Sequence, residues 1–285
     1  MKTLVLTATG TVGRQVVSSL VAAGAQVRAA TRDPAAARLP AGVEGVAFSY
    51  DDRGTWPAAF AGIDSVFLAY PAFRPDEVEL GKALVDAAKA AGARRVVKLS
   101  AIGVENDPNS VHRQVELHIE ASGLEFVHIR PNFFFENFIE FYGATIIGDG
   151  AIYLPAGDGK SSFVAASDIG AVAAKALLGA ATNAGLTLTG PEALDHAEVA
   201  EVLSRVLGKP VRYVDISPEA HVEGMKAWGM PPTAVATMSA LYGFVRQGWC
   251  AGLSPAVEQV LGRPARRFED WAAEHAAAWR PTPSP

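Results

Sequence analysis

The 285-residue chain contains a single cysteine, Cys250, which excludes an intramolecular disulfide and any cysteine-built metal site. No apolar stretch approaches the roughly 18 residues needed to cross a bilayer, and the N-terminal apolar run lacks the layout of a signal peptide. A cytoplasmic protein is the expectation. Charge is sparse too: 19% of residues are Asp, Glu, Lys or Arg, and the net charge of −5 with 25 scattered basic residues leaves no patch for nucleic acid or anionic lipid. No nucleic-acid or membrane partner is therefore expected. There is no Gly-x-Ser-x-Gly, which argues against a hydrolase. His118, His128 and His196 have no ligand spacing, so no metal is expected either.

What the chain does have is apolar periodicity. Thr3-Leu4-Val5-Leu6 reads as a buried strand, and Val12, Val16, Val17, Leu20 and Val21 recur at helical spacing until Gly24 stops the run. Between them lies Thr7-Ala8-Thr9-Gly10-Thr11-Val12-Gly13, the strand-turn-helix layout of a dinucleotide-phosphate cradle. Gly10 and Gly13 lack a Cβ, so the backbone can approach a pyrophosphate, and the helix N-terminus offers free N–H donors at a positive dipole end. Thr7 stands where the Rossmann fingerprint has its first glycine. Its hydroxyl either donates to a phosphate or ends the strand.

Further strands are expected at 27–30, 43–48, 65–69, 96–99 and 126–129, with helices at 77–91 and 110–122 between them. This alternation specifies an α/β fold, a Rossmann-type doubly wound parallel sheet. Beyond residue 150 the pattern loosens into short strands near 152–154, 163–164, 186–189 and 211–214, with helices at 167–178 and 196–207. Ser217-Pro218 opens another helix, and a last one at 268–279 precedes a Pro-rich tail. The division read from this is 1–150, an NAD(P)-binding domain, and 151–285, a smaller, mostly helical substrate-binding lobe packed on the first and not independent of it. Met225, Trp228, Met230, Met238, Tyr242 and Phe244 in that lobe read first as helix packing and second as the lining of a lid.

In such sheets ligands sit beyond the carboxyl ends of the strands. Cofactor contacts are therefore expected from Thr7, Thr9, Gly10, Thr11, Val12 and Gly13, and from the strand-end residues Arg32, Ser49, Ala69, Tyr70, Ser100 and Pro131. Arg32 lies where an acidic residue would bind the adenosine ribose. A guanidinium there matches a 2′-phosphate, so NADP(H) is favoured over NAD(H), with Asp33 beside it as the competing acceptor. Neither a metal nor a flavin is called for.

Taken together these residues resemble the NmrA-like branch of the atypical short-chain dehydrogenases, whose members include quinone oxidoreductases, triphenylmethane-dye reductases and non-enzymatic NADP sensors. The resemblance is carried by the TxTGxxG turn, by Ala30-Thr31-Arg32-Asp33-Pro34, and by His112-x-x-x-Glu116-x-x-Ile119 leading into Ser122-Gly123-Leu124. It continues through Ile129-Arg130-Pro131-Asn132-Phe133-Phe134-Phe135-Glu136-Asn137 and through Ser162-Phe163-Val164 ahead of Asp168-Ile169. Standard short-chain dehydrogenases carry Tyr-x-x-x-Lys where this chain has His112 and Glu116. A related isoflavone-reductase-like branch places a catalytic lysine at the His112 position.

The resemblance thus implies that the proton-donor slot holds His112, whose ordinary pKa of about 6.5 suits donation near neutrality, with Glu116 one turn on to orient or charge it. A solvent-facing His/Glu pair is the competing reading. Ser100 is expected to hydrogen-bond a substrate carbonyl or the nicotinamide ribose, or to cap a loop, and Tyr70 is a second, poorer acid. Glu136 and Asp168 read as residues that tie the two lobes together. Phe133, Phe134 and Phe135 with Tyr70, Phe73 and Trp228 would form an apolar slot for a small aromatic substrate. The expected activity is NAD(P)H-dependent reduction of a quinone-like or conjugated aromatic acceptor by hydride transfer. The alternatives are an aromatic-polyketide tailoring monooxygenase using NAD(P)H and O2 without flavin or metal, and a non-enzymatic NADP(H)-sensing regulator. The chain is expected to be a monomer or a homodimer.

Overall fold

In the computed structural model, which describes residues 1–280, the first apolar run forms β1 (Lys2–Val5) and leads through the glycine turn into α1 (Thr11–Ala22). Then follow β2 (Gln26–Thr31), β3 (Glu44–Ala47), α2 (Trp56–Phe60), β4 (Ser65–Leu68), α3 (Glu77–Ala90), β5 (Arg95–Leu99), α4 (Val111–Ser122) and β6 (Glu125–Pro131). The chain leaves this set for α5 (Asn137–Glu140), α6 (Gly143–Gly148) and β7 (Ala151–Leu154), and returns for α7 (Ala166–Leu177) and β8 (Ala184–Leu188). It leaves again for α8 (His196–Leu207), β9 (Arg212–Asp215), α9 (Pro218–Ala227) and α10 (Pro232–Arg246). After a second return for α11 (Ala256–Leu261) it ends in α12 (Phe268–Glu274) and a short 3-10 turn at Ala276–Trp279. The Pro-rich tail lies outside the described residues.

Contacts group these elements into two units: Met1–Pro131 with Ala166–Leu188 and Ala256–Arg263, and Asn132–Ala165 with Thr189–Pro255 and the residues from Pro264 on. This differs from the single cut read at 150. The reason is local: α7 packs along α1, and β8 pairs with β6, so residues well past 150 complete the sheet. At the helix contact a Cβ on Gly170 would fall 2.4 Å from the Gln15 Cβ, so a glycine is what lets the two backbones approach.

The seven strands of the first unit run parallel in the order β3-β2-β1-β4-β5-β6-β8. Strand order reverses between β1 and β4, which sets the ligand crevice at the carboxyl ends of those strands. Side chains alternate across the sheet, so Leu4, Leu6, Val66, Leu68 and Val96 share one face and pack against Leu80 and Leu84 of α3 and Val115 and Ile119 of α4. Burying each such side chain contributes about 1.5–3 kcal/mol. The same alternation puts Lys98 and Ser100, in step with Val96, on the α4 face.

The second unit pairs β7 with β9 in parallel and surrounds them with helices. Its core gathers Phe135, Phe138, Phe163, Leu203, Tyr242, Phe268, Trp271 and Trp279. Asp195 and Glu198 cap α8 reciprocally, and Ser217 caps α9 ahead of Pro218, as the sequence reading expected for that serine.

Candidate active site

Thr7 adopts φ 51°, the left-handed region that favours glycine, at the position where the fingerprint has its first glycine. Its carbonyl oxygen accepts from the Gly10 N–H at 2.8 Å and leaves no room for a side chain at Gly13, where a Cβ would fall 1.9 Å away. Of the two roles open to the Thr7 hydroxyl, the structure shows the strand-ending one: it donates to the Leu6 carbonyl at 2.7 Å. Helix α1 then starts at Thr11 behind the N-cap Gly10, with no side-chain cap and no acidic residue in its first turn, while Thr9 and Gly10 are exposed. That is an open, positive helix end. Val12 and Gly13 are buried and present backbone rather than side chains.

The other strand ends divide by whether they are already engaged. Arg32, just past β2, is exposed and has no partner among the described residues, whereas the Asp33 carboxylate accepts from the Ala35 and Ala36 N–H groups at 3.0 and 3.2 Å. The guanidinium is available for an anion and the carboxylate is committed to its own loop. Ser49 is absorbed in a turn: its N–H donates to Thr55 Oγ1, and its carbonyl accepts from the Trp56 indole. The Ala69 carbonyl accepts from the Tyr50 hydroxyl at 2.8 Å, and the Pro131 carbonyl from the Ile102 N–H at 3.0 Å. The glycine turn and the helix end without a side-chain cap could hold the diphosphate of a dinucleotide, and Arg32, with no partner among the described residues, could take a further anionic group.

Beside the apolar Val115 and Ile119, α4 also turns His112 and Glu116 toward the sheet, where the two do not form the expected pair with each other. Glu116 is buried and turns to Arg130, whose Nε and NH2 donate to its two oxygens at 3.0 and 2.8 Å, to Arg113 at 2.9 Å and to the Ser100 hydroxyl at 2.6 Å. Burial alone would raise its carboxyl, but the hydrogen bonds from Arg130 and Ser100 bring it down to about 2. Glu116 is therefore a permanent carboxylate with its acceptor positions filled, not an acid. Ser100 spends its proton on that carboxylate, so toward any ligand it can only accept.

His112 instead meets Lys98, whose Nζ lies 3.1 Å from His112 Nδ1 and donates to the Leu99 carbonyl at 3.0 Å. Burial, reinforced by the Lys98 charge, lowers His112 to about 3, so it is a neutral imidazole rather than the imidazolium its ordinary value would allow. Lys98 is itself fully buried, and that burial takes its ammonium down to about 7. The sequence reading missed Lys98, although a lysine inside Val96-Val97-Lys98-Leu99 was a visible break in an apolar strand.

Tyr70 is placed differently from its expected role. Its hydroxyl is buried without a hydrogen-bond partner, close enough to α3 that a Cβ on Gly81 would meet it at 3.1 Å. Burial pushes the phenol above its usual range, which makes Tyr70 a weaker acid than an ordinary tyrosine. His128 Nε2 donates to Glu120 Oε1, 3.2 Å away, and Arg113 reaches both Glu116 and Glu120. The donor atoms of Glu116, Glu120 and His128 lie within 4.8 Å of one another, but the carboxylates already answer the guanidinium groups of Arg113 and Arg130.

The aromatic residues assigned to one slot fall in both units. Tyr70 and Phe73 belong to the first, Phe73 at φ 64° in the loop after β4, and Phe133, Phe134 and Trp228 belong to the second. Phe133 stacks on Tyr242 with centroids 5.9 Å apart, Phe134 bridges to Val164, and Trp228 is 72% exposed. Phe135 is buried against Phe268 and Trp271 in the core of its own unit. Met225 and Tyr242 are buried as well, in line with helix packing. Asp168 pairs with Arg263 at 2.7 Å, both in the first unit.

Comparison with known proteins places these features in a family. The family model described as the NmrA-like family matches residues 1–268. The chain is 39% identical over 283 residues to an NAD(P)H azoreductase of Xenophilus azovorans, covering 97% of this chain and 98% of that protein. It is 36% identical to a (4-alkanoyl-5-oxo-2,5-dihydrofuran-3-yl)methyl phosphate reductase of Streptomyces griseus, covering 98% and 99%. Among solved structures it is similar to the triphenylmethane reductase of Citrobacter sp. in complex with NADP(H), with a TM-score of 0.81, 23% identity, and coverage of 97% and 100%.

Proposed function

The chain belongs to the NmrA-like family, and on that premise we propose that it is an NAD(P)H-dependent oxidoreductase acting on a conjugated acceptor. The acceptor class is an azo compound, a quinone-like ring or a related aromatic, and NADP(H) is preferred to NAD(H). One observation carries the reading: β1 opens into an α1 with no side-chain cap, while Arg32, exposed just past β2, has no partner among the described residues. The names of the two curated relatives support the acceptor class, because an azo group and an oxo-dihydrofuran bearing an alkanoyl substituent are both electron-poor π systems.

A reduced nicotinamide, when bound, supplies a hydride. The chain's own residues supply the rest. The Thr7–Gly13 turn and the N-terminus of α1 would hold the diphosphate, and Arg32 would pair with the 2′-phosphate through charge-assisted hydrogen bonds. Ser100, with its proton given to Glu116, offers an acceptor to a ribose hydroxyl. His112 keeps Nδ1 on Lys98, which leaves Nε2–H as the proton it would give to the acceptor after hydride addition. Conjugated acceptors take hydride at low intrinsic barrier, which is why a neutral imidazole suffices where unactivated ketones use a Tyr/Lys pair.

The reading is tested by NADPH oxidation over quinones, azo dyes, triphenylmethane dyes and polycyclic aromatics, with oxygen uptake recorded in parallel. Stoichiometric reduction of at least one class without oxygen incorporation is the expected result. NADPH binding with no oxidation by any acceptor would overturn it, and oxygen consumed in step with a hydroxylated product would replace it with the monooxygenase.

A further inference from the structure

Resting on that oxidoreductase reading, we propose that Lys98 is the proton store of the site, reloading His112 as His112 Nε2–H gives its proton to the reduced acceptor. Lys98 touches no substrate in this scheme. It is a positioning residue that acts through the imidazole.

The geometry is specific. Lys98 is 0% exposed near the carboxyl end of β5, and its Nζ has two oriented partners, the Leu99 carbonyl at 3.0 Å and His112 Nδ1 at 3.1 Å. On the far side of the ring, Nε2 has no protein partner among the described residues. A lysine retained to stabilise the fold would be expected to meet a carboxylate within ion-pair distance, and Lys98 meets none among the described residues. The candidate carboxylate, Glu116, is occupied by Arg130, Arg113 and Ser100.

Every neighbouring element contributes to the charge environment of Lys98. Tyr70, in the loop after β4, places its ring 5.8 Å from Nζ, and Glu77 of α3 is a partly buried carboxyl raised by that burial. His112 and Glu116 face it from α4, and His128 and Arg130 from β6. Burial dominates over the pull of Glu116 and Glu77, and the ammonium settles at about 7, where it can both hold and release a proton in neutral solution.

The step balances. Hydride addition leaves the acceptor one proton short; Nε2–H supplies that proton, and the Lys98 ammonium passes one to Nδ1. The imidazole ends neutral with its proton on Nδ1 and Lys98 ends as a free amine. A proton from water taken up at Nε2, with return of the Nδ1 proton to Lys98, restores the start. The net demand is one proton from solvent per hydride.

Two measurements test the proposal. Side-chain 15N NMR of the protein without nucleotide should show the His112 Nδ1 resonance moving with a midpoint near 7 as Lys98 titrates, and Lys98→Met should abolish that movement. In turnover, the wild-type rate should fall as pH rises through about 7, and Lys98→Met should be about 10²-fold slower with a flat profile. A His112 resonance that stays put from pH 5.5 to 9, or a Lys98→Met enzyme that keeps the alkaline fall, overturns the role. If Lys98→Met does not fold, the wild-type NMR titration decides. If no acceptor is reduced at all, the oxidoreductase reading fails, while the NMR titration still judges the Lys98–His112 coupling by itself.

Discussion

Arg130 meets Glu116 fork to fork, Nε on Oε1 and NH2 on Oε2, across the buried space between β6 and α4. Removing the carboxylate takes from Arg130 its bidentate partner, from Arg113 one of its two carboxylates, and from the Ser100 hydroxyl its acceptor. Glu116→Gln is expected to cost about 3–5 kcal/mol of stability, measured by urea unfolding at pH 7. Because the carboxyl is held near 2, its contribution is fully present above about 4.5 and disappears as pH falls toward 2. The wild-type and Glu116→Gln stabilities should therefore converge at the acid end.

The glycine turn predicts an asymmetry between two of its residues. Gly13→Ala drives a Cβ into the Thr7 carbonyl and should lose NADPH binding, read by quenching or enhancement of nicotinamide fluorescence, even if the fold survives. Thr7→Gly releases a left-handed β-branched residue worth about 1–2 kcal/mol of strain while loosening the unfolded chain by a comparable amount. Its stability should stay within about 1 kcal/mol of wild type, with nucleotide binding retained.

Arg32→Ala should weaken NADPH binding by about 10- to 100-fold, the worth of one charge-assisted contact, and leave NADH binding unchanged. Titration calorimetry with both nucleotides checks this. An unchanged ratio of the two dissociation constants would remove Arg32 from the nucleotide site.

His196 sits 2% exposed among Phe138, Phe163, Tyr213 and Tyr242, and its burial lowers it to about 4. The folded chain keeps it neutral while the unfolded chain protonates it at about 6.5, so stability falls as pH drops from 6.5 to about 4. His196→Phe should flatten that part of the stability curve, by up to about 3 kcal/mol at its acid end. Denaturant midpoints collected between pH 7 and 4 would show it.

The features legible in the sequence were those written in short range. The turn at Thr7 to Gly13, the alternation of strands and helices through Pro131 and the serine cap of α9 each depend on residues a few positions apart. Glu116 was readable as a helix residue but its role was not, because Arg130 and Ser100 reach it from two different strands. Periodicity also paired His112 with Glu116, four positions along, whereas the partner that matters lies on β5. The membership of β8 in the main sheet was out of reach for the same reason: strand pairing of 127–131 with 184–188 leaves no mark in either segment alone.

The sheet is not finished in the order it is made. When β6 leaves the ribosome, its outer edge has unpaired backbone groups, and the strand that covers it, β8, is synthesised only after Asn132–Ala165 and α7 have passed. At about 5–20 residues per second, that edge stays open for on the order of seconds. An open parallel edge is a template for other chains. Truncations that stop short of β8 should therefore aggregate during expression, and yield should depend on how quickly the nascent chain reaches Leu188.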